Sequence, residues 1–241
     1  MLWLLILLFG VASGTLAGIV GFGASLVMIP ILVHAFGPKE TIPIMAIAAL
    51  MANLGRVAVW WRDIDWRVAG VYAATAIPAA ALGARTLIAL DPRMIELTLG
   101  IFLLAMIPIR RWLLAQGLKI ALWHMAIVGA GIGYIAGIVA ATGPINTPFF
   151  LAYGLTRGAY LATEATGAIA INITKAIVFD RFGALPLETI ARGVAVGGAL
   201  TAGSWLAKHF VLAMDANQFR GVMDLLLAGA GLFMIASALS H

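Results

Sequence analysis

The feature that most constrains this chain is a series of long apolar segments separated by short turns that carry charges and prolines. Each segment has about 20 residues or more, which is the length that a helix needs to cross a bilayer. Lipid offers no hydrogen-bond partner to the backbone, so only helices and closed barrels span it, and continuous apolar runs do not fit the alternating strands of a barrel. The segments are Leu2–Val33, Thr41–Trp61, Val68–Leu90, Met94–Leu114, Ile120–Gly154, Tyr160–Phe179, Leu187–Met214 and Phe219–Leu239.

The composition indicates the same class. Of the 241 residues 63% are apolar and 10% are charged, with a mean hydropathy of +1.06, whereas a soluble domain has about a quarter charged residues. The net charge of +5 does not indicate nucleic acid, because the basic residues stand singly or in pairs at segment ends. Cysteine is absent and the histidines lack metal-ligand spacing. We expect a multi-pass protein of the bacterial inner (cytoplasmic) membrane without metal or cofactor.

Two segments, Leu2–Val33 and Ile120–Gly154, are too long for one ordinary crossing. A continuous helix over the first would measure about 48 Å, against a hydrocarbon core of about 30 Å. Both have glycine-rich middles, at residues 14–23 and 133–143. We expect each to be a helix broken inside the membrane or a tight pair of short helices. Met1–Ala17 resembles a signal peptide but lacks a basic start, and we expect it to stay in the fold.

The chain contains an internal repeat. Residues of matching chemistry stand 119 positions apart: Gly14 with Gly133, Gly18 with Gly137, Asn53 with Asn172, and Arg56 with Lys175. We predict an all-α polytopic membrane protein of 8 to 10 transmembrane helices in two pseudo-symmetric halves, 1–118 and 119–241, which together form one membrane domain. Single crossings of the long segments would make the halves parallel and double crossings would invert them, and the distribution of basic residues favours inversion.

Two cations inside apolar spans, Arg56 and Lys175, are the most informative candidates for function. A cation at the bilayer centre costs about 3 kcal/mol or more, so it usually faces a polar cavity. Snorkelling to the interface is the structural alternative. Asn53 and Asn172 lie one turn before these cations, where their amides can bond an anion or a neighbouring helix. The symmetric placement favours one anion site at the membrane midplane.

The glycine-rich breaks supply a second set of candidates for substrate binding. A helix that restarts inside the membrane presents backbone N–H groups and the positive end of its dipole, which suits an anion. Close packing of helices through small residues is the alternative interpretation. The candidates are Gly21, Gly23 and Ser25 in the first break, and Thr142, Gly143, Asn146 and Thr147 in the second.

Other polar and aromatic residues carry weaker signals. Glu164, near the start of the sixth segment, is either a proton-coupling carboxylate or a charge that the helix N-terminus favours, and we prefer the second interpretation. Ser25 resembles the serine of rhomboid-type intramembrane proteases, but neither His124 nor His209 has the context of a catalytic base, so we expect no enzyme. Tryptophans at the segment ends fit an aromatic belt, namely Trp60, Trp61, Trp66, Trp112 and Trp123.

The pattern Gly14-xxx-Gly18-xx-Gly21-x-Gly23, its echo from Gly133 and the turn Asp91-Pro92-Arg93 resemble the TauE/SafE family of sulfite exporters. The first break departs from that family's run of consecutive glycines. The resemblance implies transport of sulfite, sulfoacetate or another organosulfonate. No phosphate-binding loop is present, so transport would be secondary, by alternating access. An anion channel and, remotely, an intramembrane serine protease stay open as alternatives, as do a coupling ion (proton or sodium) and a homodimer.

Overall fold

The computed structural model describes residues 2–20, 24–117, 119–139, 142–155, 157–210 and 216–240. Within these ranges the main elements are ten α-helices, and a 3-10 turn at Trp61–Asp63 joins the third to the fourth. The predicted all-helical architecture is therefore confirmed. The helices are α1 Leu2–Val20, α2 Ala24–Phe36, α3 Pro38–Trp60, α4 Trp66–Ala89, α5 Pro92–Ala115, α6 Leu122–Ile138, α7 Gly143–Ala152, α8 Arg157–Arg181, α9 Leu187–Phe210 and α10 Ala216–Ser240.

Several helices are suited to a bilayer. In the described part of the chain, four stretches are long and apolar enough to cross it: Pro38–Asp63, Trp66–Ala89, Pro92–Leu113 and Gly158–Arg181. Shorter apolar helices cover Trp3–Thr15, Val27–Phe36 and Leu122–Ile138. The protein is a multi-pass membrane protein, and the total of 8 to 10 crossings stays a prediction.

Each of the two over-long segments contains two helices. In the first, α1 ends at Val20 and α2 begins at Ala24. In the second, α6 ends at Ile138, the backbone of Val139 is extended, and α7 begins at Gly143. The candidate residues Gly21 and Gly23 lie outside the described residues.

Most helices have one or two main packing partners. α1 packs against α9, and α6 packs against α4. α3 contacts both α8 and α9, while α8 contacts both α3 and α4. α5 packs against α10, with α2 touching α10 and α7 touching α5. The helices α3 and α8, which carry the predicted cations, therefore lie against each other.

Glycines allow the closest of these approaches. A Cβ atom added to Gly83 of α4 would lie 2.1 Å from the carbonyl oxygen of Tyr134 in α6. One added to Gly14 of α1 would lie 2.1 Å from the carbonyl oxygen of Leu200 in α9. No larger residue fits at such distances, so α1 and α4 depend on glycine to reach their partners. Gly14 therefore serves the close packing of α1 against α9, which is the alternative interpretation given above for the glycine-rich segments.

The outer surface is apolar. All five tryptophans assigned to the belt are exposed, from 38% for Trp60 to 67% for Trp66. Large aliphatic side chains such as Leu82, Ile101 and Ile127 are also exposed. An apolar surface of this extent suits lipid and not water.

Asp65 fixes the start of α4. Its carboxylate accepts hydrogen bonds from the N–H groups of Arg67 at 3.1 Å and Val68 at 3.0 Å. We expect Asp65→Ala to lower the free energy of unfolding by about 1 kcal/mol, because two N–H groups lose their acceptor. The midpoint of thermal unfolding in detergent should fall by about 2–4 °C. A fall no larger than that of Asp63→Ala, which changes an exposed neighbour, would contradict this role.

Candidate functional site

A cavity of about 100 Å³ lies where the ends of four helices meet the middles of α3 and α8. Its wall includes Ala17 near the end of α1, Ser25 at the start of α2, Val139 just after α6 and Gly143 at the start of α7. Ser204 of α9 also lines it. A space of this size holds several water molecules or one small ion.

Most of the predicted substrate-binding residues meet at this cavity. Thr147 does not line it; its hydroxyl donates to the carbonyl oxygen of Gly143 at 2.9 Å and lies 2.6 Å from the Tyr160 hydroxyl. Gly21 and Gly23 are outside the described residues. The predicted residues that line the cavity are Ser25, Asn53, Arg56, Thr142, Gly143, Asn146, Asn172 and Lys175.

Lys175 is buried, with 1% of its surface exposed. Its Nζ donates to the carbonyl oxygen of Ala136 at 2.7 Å and, more weakly, to that of Val139 at 3.5 Å. Both carbonyls lie at the C-terminal end of α6, where they have no partner within the helix and where the dipole favours a cation. Lys175 therefore does not snorkel. An ammonium group has three donors, and two of them are used by carbonyls in the part of the chain that the structure describes, so the third is available to a ligand in the cavity.

Arg56 contacts Glu164 and Asn53. Its Nη1 lies 3.2 Å from Oε2 of Glu164 in α8, and its Nη2 donates to Oδ1 of Asn53 one turn earlier in α3. The Arg56 side chain is 20% exposed, whereas that of Glu164 is only 6% exposed. The guanidinium therefore reaches the cavity beside a buried carboxylate.

A buried amide orients that carboxylate. The Tyr72 hydroxyl of α4 donates to Oδ1 of Asn146 at 3.1 Å, so the amide nitrogen of Asn146 points the other way. That nitrogen donates to Oε1 of Glu164 at 3.3 Å. The chain of contacts from Tyr72 through Asn146 and Glu164 to Arg56 therefore joins α4, α7, α8 and α3.

One comparison with known proteins decides the family. A family model described as sulfite exporter TauE/SafE matches residues 6–234, which is nearly the whole chain. The chain belongs to the sulfite exporter TauE/SafE family. The resemblance seen in the sequence is confirmed, and the TauE/SafE family is one of membrane transporters. No curated protein and no solved structure matches the chain.

Glu164 lies deeper in α8 of this TauE/SafE protein than its place near the start of the apolar segment indicates. α8 begins at Arg157, its first turn contains no acidic residue, and Glu164 lies about two turns inside it. The interpretation of Glu164 as a charge at the helix N-terminus was therefore wrong. A usable signal existed, because Glu164, Ala168, Asn172 and Lys175 follow helical spacing on one face of α8. That face lines the cavity.

The two amides that precede the cations bond within their own helices. Nδ2 of Asn172 donates to the carbonyl oxygen of Ala168 at 2.8 Å, and Asn53 accepts from Arg56. Asn53 thus orients the guanidinium of the TauE/SafE cavity. Both amides line that cavity, together with the cations that follow them in the sequence.

Positive side chains outnumber negative ones among the described residues of the TauE/SafE cavity wall. Arg56 and Lys175 are opposed by Glu164 and by the carbonyl end of α6. α7 starts at Gly143 without a side-chain cap from Thr142, but the N–H groups of Ile145 and Asn146 donate to the carbonyl oxygen of Thr142. The start of α7 therefore adds the positive end of its helix dipole. Among its described residues, the wall has two cations and a single carboxylate.

Proposed function

We propose that this TauE/SafE protein is a secondary transporter that moves a small sulfur-containing anion across the bacterial inner membrane by alternating access. The anion would be sulfite, sulfoacetate or another organosulfonate. The observation that carries the proposal is the meeting of Arg56 and Lys175 at one cavity of about 100 Å³. Two cations facing one small cavity suit an oxyanion, whose oxygens accept charge-assisted hydrogen bonds.

The donors converge from several helices. Arg56 would bind the anion from α3 and Lys175 from α8, while Ser25 and Thr142 offer hydroxyls from two helix starts. The N-terminal end of α7 at Gly143 adds the positive end of a helix dipole. A tetrahedral or pyramidal group with several oxygens on one sulfur can use donors on different sides at once.

Alternating access would come from rocking of two inverted halves, 1–118 and 119–241, each opening with a glycine-rich broken helix. Packing supports the two-fold relation, because the contact of α1 with α9 corresponds to the contact of α6 with α4, and each contact joins one helix from each half. The contact of Gly203 with Val11 and Thr15 likewise corresponds to that of Gly83 with Tyr134. Five helices in each half would give the halves opposite orientations if all cross the membrane.

Uptake into proteoliposomes tests this proposal. We expect saturable entry of radiolabelled sulfite that sulfoacetate reduces more strongly than sulfate, and that preloaded unlabelled sulfite accelerates. Acceleration from the opposite side is the sign of a carrier that reorients with its substrate. Empty liposomes are the control for leakage. Flux that neither saturates nor responds to preloading would favour the anion channel instead, and no flux above the control would remove the proposed function.

A further inference from the structure

Glu164 occupies the position at Arg56 that an anionic substrate would need. Its Oε2 lies 3.2 Å from Nη1 of Arg56, and its Oε1 accepts from Asn146. Among the described residues, Oε2 is buried and accepts no hydrogen bond of good geometry. The second oxygen of this carboxylate is thus held by charge alone and is the atom available to a proton.

A carboxylate and a bound anion disfavour each other in so small a cavity. Both carry negative charge, both use the same guanidinium, and the low dielectric of a buried site increases their repulsion. Protonation of Oε2 removes the negative charge of Glu164 without removing the side chain. Arg56 then loses its ionic competitor and can bind the anion more strongly.

We propose that Glu164 is the proton-binding site that couples proton movement to anion movement. This inference rests on the proposed function and assigns its coupling ion. The proton binds Oε2, the ion pair with Arg56 ends, and Arg56 binds the oxygens of the anion. When the anion leaves, the proton leaves with it and Glu164 pairs with Arg56 again. Proton and anion therefore cross in the same direction, and the two gradients set that direction.

A proton suits this site better than sodium does. A metal cation needs several oxygen ligands, whereas Glu164 has the positive guanidinium of Arg56 beside one oxygen and the amide N–H of Asn146 beside the other. A neutral carboxylic acid tolerates both neighbours.

Other ionisable groups lie around Glu164 on the helices packed against it. Arg56 comes from α3, Tyr72 from α4, and Tyr160 and Lys175 from α8 itself. Asp65, at the start of α4, bonds Thr163 through its backbone N–H, and its carboxylate caps α4. Lys175 is the competing explanation of any pH effect, because an ammonium that loses its proton would also bind anions less well. The test must therefore separate the two residues.

The test uses proteoliposomes loaded with a pH-sensitive dye, to which the more rapidly carried of sulfoacetate and methanesulfonate is added. Sulfite is not used because it takes up a proton itself near neutral pH, whereas a sulfonate group does not. For the wild type we expect protons to move with the anion, and the apparent Kd to rise with pH by up to about tenfold per unit, as for one linked proton. Glu164→Gln, a neutral isostere of the protonated acid, should keep anion exchange and lose both effects. Lys175→Arg, whose charge is permanent, should keep the pH dependence.

Glu96→Gln is the matched control, because Glu96 is buried to the same extent as Glu164 but does not line the cavity. It should behave as the wild type in both measurements. Anion flux without proton movement in the wild type would overturn the coupling and leave the transporter standing. The coupling is likewise overturned if Glu164→Gln keeps the pH dependence or Lys175→Arg loses it. Absence of anion flux in the wild type would overturn both proposals, and the wild-type result decides even if Glu164→Gln does not fold.

Discussion

Arg56→Gln and Lys175→Gln should each raise the anion concentration for half-maximal uptake by about 10- to 150-fold. Each change removes a charged donor from the cavity, and a hydrogen bond to a charged group contributes about 1.5–3 kcal/mol. Lys175→Gln should have the larger effect, because Lys175 is almost fully buried and also caps the carbonyl end of α6. Concentration-dependent uptake into proteoliposomes measures both.

The same substitutions outside the cavity provide the controls. Arg62→Gln and Lys119→Gln remove exposed cations and should leave the half-maximal concentration within about twofold of the wild type, since exposed charges contribute little. All four variants should elute as single species in size-exclusion chromatography before they are compared. If well-folded Arg56→Gln and Lys175→Gln transport like their controls, the two cations do not bind the substrate.

Gly83→Ala and Gly203→Ala should each destabilise the protein by about 3 kcal/mol, at the upper end of overpacking effects. The new Cβ would lie 2.1 Å from the Tyr134 carbonyl oxygen in the first variant and 2.0 Å from the Val11 carbonyl oxygen in the second. Both obstacles are backbone atoms, so whole helices must separate. The midpoint of thermal unfolding in detergent should fall by about 6–12 °C.

Gly131→Ala on α6 and Gly198→Ala on α9 are the matched controls. An added Cβ meets nothing within 4 Å at either position. Alanine is the better helix former by about 1 kcal/mol, so these variants should unfold at the wild-type temperature or slightly above it. Equal midpoints for Gly83→Ala and Gly131→Ala would mean that α4 and α6 do not pack through Gly83.

The length of the apolar segments and the spacing of their polar residues made much of this molecule predictable. Runs of about 20 apolar residues predict helices without knowledge of the tertiary packing, because lipid offers the backbone no hydrogen-bond partners and a helix satisfies its own. The offset of 119 residues brought Asn53, Arg56, Asn172 and Lys175 together as candidates, and the structure has all four on one cavity. The spacing of these residues in the sequence therefore predicted which of them share a cavity, while the repeat itself stays a prediction.

The functions of single polar groups were less predictable. Whether Glu164 is a helix-end charge or a buried ion-pair partner depends on where α8 starts, and no proline in the sequence marks Arg157 as that start. The capping of α6 by Lys175 depends on where α6 ends and on how α6 meets α8. Such contacts between distant residues follow from packing, which a local pattern does not encode.

In the proposed transporter, one anion binds between Arg56 and Lys175. Selenite, the heavier analogue of sulfite, makes that anion directly visible by anomalous scattering in crystals of the wild-type protein. We expect one selenium peak inside the cavity, within about 4 Å of both the guanidinium and the ammonium nitrogen. If selenite competes with sulfite for transport while its peak lies away from these two side chains, the cavity is not the binding site.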